Sequence, residues 1–218
     1  APPATAVTES WNGSAWYEVN DLNTARSRIT GTLGIATSAL MFGGSNAPRQ
    51  QTESWDGTAW SERNDMNQGR QYHAGAAANS TAGITFGGVL SPGDYTALAA
   101  TEEWNTGVTL GAWVTGANGN TARGNLAGAG TSTSTLAFGG FSPAFAPPND
   151  DRTRPDTEQW NGSVWAVTND MNTARNNLAG AGVSNTSALA IGGDDNDGYT
   201  ETWDGSTWAE ANDLNTAR

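Results

Sequence analysis

The sequence predicts an all-β protein, a ring of repeated four-stranded units. Three observations carry this: a phrase that recurs five times, small and β-branched strands between turn residues, and a composition with 28 glycines and 10 tryptophans in 218 residues. Only 36% of the chain is apolar and 15% is charged, which suits thin, turn-rich layers better than packed helices. The expected architecture is a β-propeller of five blades, each of four antiparallel strands, with one blade incomplete; four blades is the alternative. The whole of residues 1–218 forms one domain in this reading.

The phrase is TESWNGSAW at Thr8, TESWDGTAW at Thr52, TEEWN at Thr101, TEQWNGSVW at Thr157 and TETWDGSTW at Thr200. Every tryptophan belongs to it, two per copy: Trp11 and Trp16, Trp55 and Trp60, Trp104 and Trp113, Trp160 and Trp165, Trp203 and Trp208. An arginine stands ten residues after each second tryptophan, at Arg26, Arg70, Arg123, Arg175 and Arg218. Beyond the first four lie the diglycines Gly43-Gly44, Gly87-Gly88, Gly139-Gly140 and Gly192-Gly193.

These landmarks place the strands. After the arginine comes a strand of small residues such as NLAGAG, then a turn, then an apolar strand such as SALMF that ends in the diglycine. A loop of variable length follows, then the strand TESW, an Asn-Gly or Asp-Gly turn, and a strand opened by the second tryptophan. A two-residue turn at Asn12-Gly13 puts Glu9, Trp11, Ser14 and Trp16 on one face, expected to be buried. Five TESW-to-arginine halves but only four arginine-to-diglycine halves are present. The expectation is therefore a fragment of a longer chain, in which roughly 20 to 25 further residues complete the ring, or self-association that completes the open blade.

The order diglycine, Glu-x-aromatic strand, tryptophan, arginine resembles the kelch repeat of galactose-oxidase-type propellers, from Thr8 to Arg218. Tryptophan stands at Trp11, Trp55, Trp104, Trp160 and Trp203, where kelch repeats more often have tyrosine. The Asp-box of sialidases is a weaker match, since it has a residue between Asp and Gly that Asp56-Gly57 and Asp204-Gly205 lack. In style the array is similar to repetitive phage and bacterial surface or virion proteins, which implies an extracellular, cell-surface or virion location. Galactose-oxidase-like copper chemistry does not carry over, because the chain has one histidine and no cysteine.

Function is expected in what varies. Glu9, Glu53, Glu102, Glu158 and Glu201 occur once per copy, as do the arginines, tryptophans and glycines, and so are expected to be architectural. Contact candidates are Phe141 and Phe145 in a long Pro-rich loop, Tyr95 and Tyr199 in two others, and His73, the single histidine. No nucleophile motif accompanies His73, so no catalytic residue is assigned. Asp194, Asp195 and Asp197 supply hard oxygens that suit calcium, the one cofactor considered. The net charge of -12, with no lysine, disfavours nucleic acid and anionic membrane surfaces, and no apolar run reaches the ~18 residues of a membrane span. The expected role is a non-catalytic module making protein or glycan contacts through variable loops. The alternatives are a lectin with repeated pockets, or a metal-free sugar epimerase or mutarotase at the channel.

Overall fold

A computed structural model describes residues 3–29, 33–45, 48–91, 94–107, 111–142, 153–193 and 198–217, with the side chains of 91, 94 and 95 left aside. It is all-β, with no helix among the described residues. The chain opens with a lone hairpin, β1 (Thr8–Trp11) and β2 (Trp16–Val19), followed by four antiparallel blades. Blade I is β3 (Leu33–Ile35), β4 (Ser38–Phe42), β5 (Thr52–Trp55) and β6 (Trp60–Arg63). Blade II is β7 (Ala74–Asn79), β8 (Ala82–Phe86), β11 (Thr101–Asn105) and β12 (Ala112–Thr115), with a small hairpin of β9 (Val89–Ser91) and β10 (Asp94–Ala97) inserted before β11. Blade III is β13 (Ala127–Thr131), β14 (Ser134–Phe138), β15 (Thr157–Trp160) and β16 (Trp165–Val167). Blade IV is β17 (Ala179–Ser184), β18 (Ser187–Ile191), β19 (Thr200–Trp203) and β20 (Trp208–Glu210).

This is a four-bladed β-propeller, the alternative blade count, with the outer half of a further blade at its start. The first strands pack in series, β3 on β7 on β13 on β17, and so face the axis. β7, β13 and β17 each begin Ala-Gly-Ala, because their neighbours stand close. A Cβ placed on Gly75 would lie 2.7 Å from Leu33 and 3.1 Å from the Phe42 ring of the preceding blade.

The Asn-Gly and Asp-Gly turns are longer than the two residues expected. Trp11 pairs directly with Trp16, Trp55 with Trp60 and Trp203 with Trp208, leaving four residues in each loop. The side chain that opens the loop explains this: Asn12 Oδ1 accepts from the Ser14 and Ala15 amides at 2.9 Å, and Asp204 Oδ1 from Ser206 and Thr207 at 2.8 Å. Those backbone donors hold the exposed Asp204 carboxyl down to about 2. The paired tryptophans meet ring to ring at 5.3 to 5.6 Å.

A second difference lies at the first copy. Trp55, Trp60, Trp104, Trp113, Trp160, Trp165, Trp203 and Trp208 are buried, but Trp11 is 48% and Trp16 65% exposed, so the face expected to be buried there is open. The loop of residues 89–100, one of those expected to vary in length, holds β9 and β10, because two short strand-forming runs flank Pro92-Gly93.

Candidate functional site

Around the frame, the repeated residues of the four blades make the contacts that hold it together. Arg70 Nη2 pairs with Glu102 at 2.7 Å, and its Nη1 donates to the carbonyls of Gly87 and Ala100. The same buried pairing joins Arg26 to Glu53, Arg123 to Glu158 and Arg175 to Glu201, at 2.6, 2.9 and 2.8 Å. Each carboxylate also accepts two backbone amides from the segment before its arginine; Glu158, for example, accepts from Asn120 and Thr121. The connecting segment of one phrase is thereby clamped to the third strand of the next blade. Burial pulls Arg70 and Arg123 below the usual arginine range, while their glutamates oppose that pull.

Gly87 shows why the diglycine is needed. Its φ is +66°, and a Cβ there would stand 2.6 Å from the Arg123 carbonyl of the next blade. Gly88 donates its amide to that carbonyl at 2.8 Å, so the diglycine is a contact between blades.

The seams between blades are closed by aromatic residues. Phe42 meets Trp113 edge-on at 4.9 Å, Phe86 meets Trp165 at 4.9 Å, and Phe138 meets Trp208 at 5.0 Å. The second tryptophan of each complete blade then donates its indole N–H to the threonine that opens the outer hairpin of the preceding unit. Trp60 reaches Thr8, Trp113 Thr52, Trp165 Thr101 and Trp208 Thr157, at 2.9 to 3.2 Å.

At the mouth of the channel the pattern changes from sameness to variety. Two residues beyond each arginine stands a non-glycine residue in left-handed conformation: Arg28 (φ 55°), Tyr72 (53°), Asn125 (52°) and Asn177 (54°). Their backbones form a relay, Tyr72 N–H to Arg28 O, Asn125 N–H to Tyr72 O and Asn177 N–H to Asn125 O, at 2.8 to 3.2 Å. All four line a cavity of about 510 Å³ with Leu33, His73, Leu126 and Leu178. The Arg28 guanidinium lies 5.3 Å over the Tyr72 ring, a cation held against an aromatic face.

His73 belongs to the packing behind this mouth. It is 1% exposed, stacks on Phe42 at 5.4 Å, and places Nδ1 3.2 Å from the Thr85 hydroxyl. Burial first, and the Arg70 charge second, lower its pKa to about 3, so the ring is neutral over the physiological range. Phe141 is half-buried, with its backbone bridged to Gly124 and Thr153, while Tyr199, immediately before β19, is 46% exposed. The structure therefore does not gather these three candidates into one site. Phe145, Asp194, Asp195, Asp197 and Arg218 lie outside the described residues, as does the side chain of Tyr95. Among the described residues no cluster of three or more His, Cys, Asp or Glu could hold a metal ion.

The mouth residues were missed because variety was sought in the loops. Their signal is present all the same: Arg26-Ser-Arg28, Arg70-Gln-Tyr72, Arg123-Gly-Asn125 and Arg175-Asn-Asn177 vary inside an otherwise fixed spacing.

No family model matches this chain, and no curated protein matches it. Solved structures do, in 174 chains. Among them is the structure of YjhT, with a TM-score of 0.72, 13% sequence identity, and coverage of 94% of this chain and 75% of that one. At that identity the likeness defines the class, a β-propeller, and nothing narrower.

Proposed function

We propose that this chain is a non-catalytic binding module of an extracellular or virion assembly, with kelch-type repeats, and that it takes a glycan at the channel mouth. One observation carries the reading: equivalent left-handed positions around a cavity of about 510 Å³ hold three kinds of side chain, at Arg28, at Tyr72, and at Asn125 and Asn177. A rigid frame that repeats its clamps and seams and varies the side chain at this position concentrates recognition there. Guanidinium and amide forks match the paired hydroxyls of a sugar, and the Tyr72 ring offers a face for its C–H surface.

A metal-free sugar-converting enzyme at the same mouth is the second reading, and the same convergence of non-repeating polar groups favours it. The binding reading is preferred because the described lining contains no carboxylate, and its one histidine is buried and neutral. Repeated lectin pockets at the seams fit less well: the pocket bordered by Phe86 of blade II and Trp165 of blade III holds about 10 Å³.

The test is an NMR titration with neutral and acidic monosaccharides. Saturable shifts of the Asn125 and Asn177 side-chain amides, abolished by Tyr72→Gly, are expected. Shifts confined to the outer loops would overturn the assignment of the mouth, and catalysed exchange between anomers would select the enzymatic reading.

A further inference from the structure

The molecule carries one seam that is not filled, and both of its walls have counterparts elsewhere that show what they lack. On one wall, β1 pairs with β2 alone, whereas β5, β11, β15 and β19 each pair on both edges. Glu9 is exposed there, although its four counterparts are buried against arginines, and Trp11 and Trp16 are the two exposed tryptophans. On the other wall, Ala179 to Val183 of β17 are exposed, and the Thr200 hydroxyl is buried without a hydrogen-bond partner. The equivalent hydroxyls of Thr8, Thr52, Thr101 and Thr157 each accept an indole N–H from the following unit. A cavity of about 270 Å³ opens beside β1, lined by Trp11, Trp16, Ile35, Ala39, Trp55 and Trp60. At the three seams between complete blades, a phenylalanine of the preceding blade's second strand packs on the second tryptophan; here Trp60 borders the cavity.

We propose that this seam is a docking site for one β-hairpin of the repeat's own inner type, supplied by a polypeptide segment other than the residues described. Its chemistry follows from the walls. The second strand must be apolar, must hydrogen-bond along the free edge of β1, and must present a large side chain to Trp60, as Phe42 does to Trp113. The first strand must be rich in Gly and Ala, because Gly75, Gly128 and Gly180 each stand where a Cβ would meet the Phe42, Phe86 or Phe138 ring of the preceding blade at 2.7 to 3.1 Å. Docking brings Trp16 to Thr200 and makes the indole-to-hydroxyl bond that this seam lacks. Continuity with the filled seams carries the argument, which is independent of the channel-mouth reading.

The experiment adds to the purified chain a synthetic peptide with the sequence of residues 175–193, RNNLAGAGVSNTSALAIGG. Indole N–H resonances, assigned with a Trp16→Phe variant, and calorimetry provide the readout. Expected are 1:1 saturable binding, a downfield shift of the Trp16 indole proton, and affinity reduced about tenfold or more by Trp16→Ala. Thr200→Val weakens binding less, and a peptide carrying Gly180→Val does not bind. Trp16 is exposed, so its replacement leaves the fold intact. Lack of saturable binding overturns the proposal. So does concentration-dependent dimerisation, seen by light scattering, that buries Trp16 before peptide is added, since a second copy is then the occupant.

Discussion

The seam between blades I and II and the seam at the lone hairpin are built from the same residue types and end in opposite states. At the first, Trp113 is 6% exposed, meets Phe42 edge-on, and donates to Thr52; at the second, Trp16 is 65% exposed and Thr200 keeps an unpartnered hydroxyl. The cross-strand tryptophan pair is present at both, at 5.6 and 5.5 Å. Pairing within a hairpin therefore does not bury these rings. Burial comes from the neighbouring blade, and the hydrophobic gain of each blade resides mainly in its contacts with the next.

Substitutions at matched positions break or sharpen that contrast. The largest effect is expected at the buried clamps: Glu158→Ala strands Arg123 in the interior and costs about 3–5 kcal/mol, whereas Glu9→Ala changes stability by under about 0.5 kcal/mol. Urea denaturation of the two variants measures both. Nearly as large is Trp113→Ala, at about 3–5 kcal/mol, against a near-neutral Trp16→Ala. Equal losses at the two tryptophans would show that the open seam is covered in solution.

His73 sharpens the filled seam through pH. Its ordinary pKa is near 6.5 and its folded value is about 3, so between those values the unfolded chain binds a proton that the folded chain does not. Stability contributed by the neutral ring is fully present above pH 6.5 and is lost as pH falls toward 3, at up to about 1.4 kcal/mol per pH unit. His73→Gln is expected to flatten this slope, and melting temperatures across pH 3.5 to 7 would show whether it does. The smallest contrast is at the threonines. Thr157→Val leaves the Trp208 indole N–H without its acceptor and costs about 1–2 kcal/mol, while Thr200→Val is neutral or slightly stabilising, as calorimetric unfolding would show.

Much of the frame was legible because a repeat gives several readings of one rule. The constant ten-residue spacing from Trp60 to Arg70 and from Trp113 to Arg123 reflects the reach needed to cross to the next blade and clamp its glutamate. At all four described pairs the arginine and the glutamate meet as a buried ion pair. The four-residue turn was less legible, because Asn-Gly composition does not reveal that Asn12 will spend its side-chain oxygen on two amides. The exposed state of Trp16 was hidden for another reason: a local phrase identical in type to its buried copies carries no record of what stands opposite. Tyr72 and Asn125 were overlooked as a site because left-handed conformation at a non-glycine residue is set by the closing of blades on one another.

One consequence of the clamp concerns inheritance. Arg26, Arg70, Arg123 and Arg175 each serve the glutamate of the phrase that follows, so a phrase is out of step with the blade it helps to hold. Inserting one more phrase anywhere inside the array supplies one arginine to the glutamate ahead and one glutamate to the arginine behind. The number of unmatched charges stays constant however many phrases are gained or lost. A gene of this kind can lengthen or shorten by whole units without leaving a buried charge alone, which makes the blade count easy for evolution to alter.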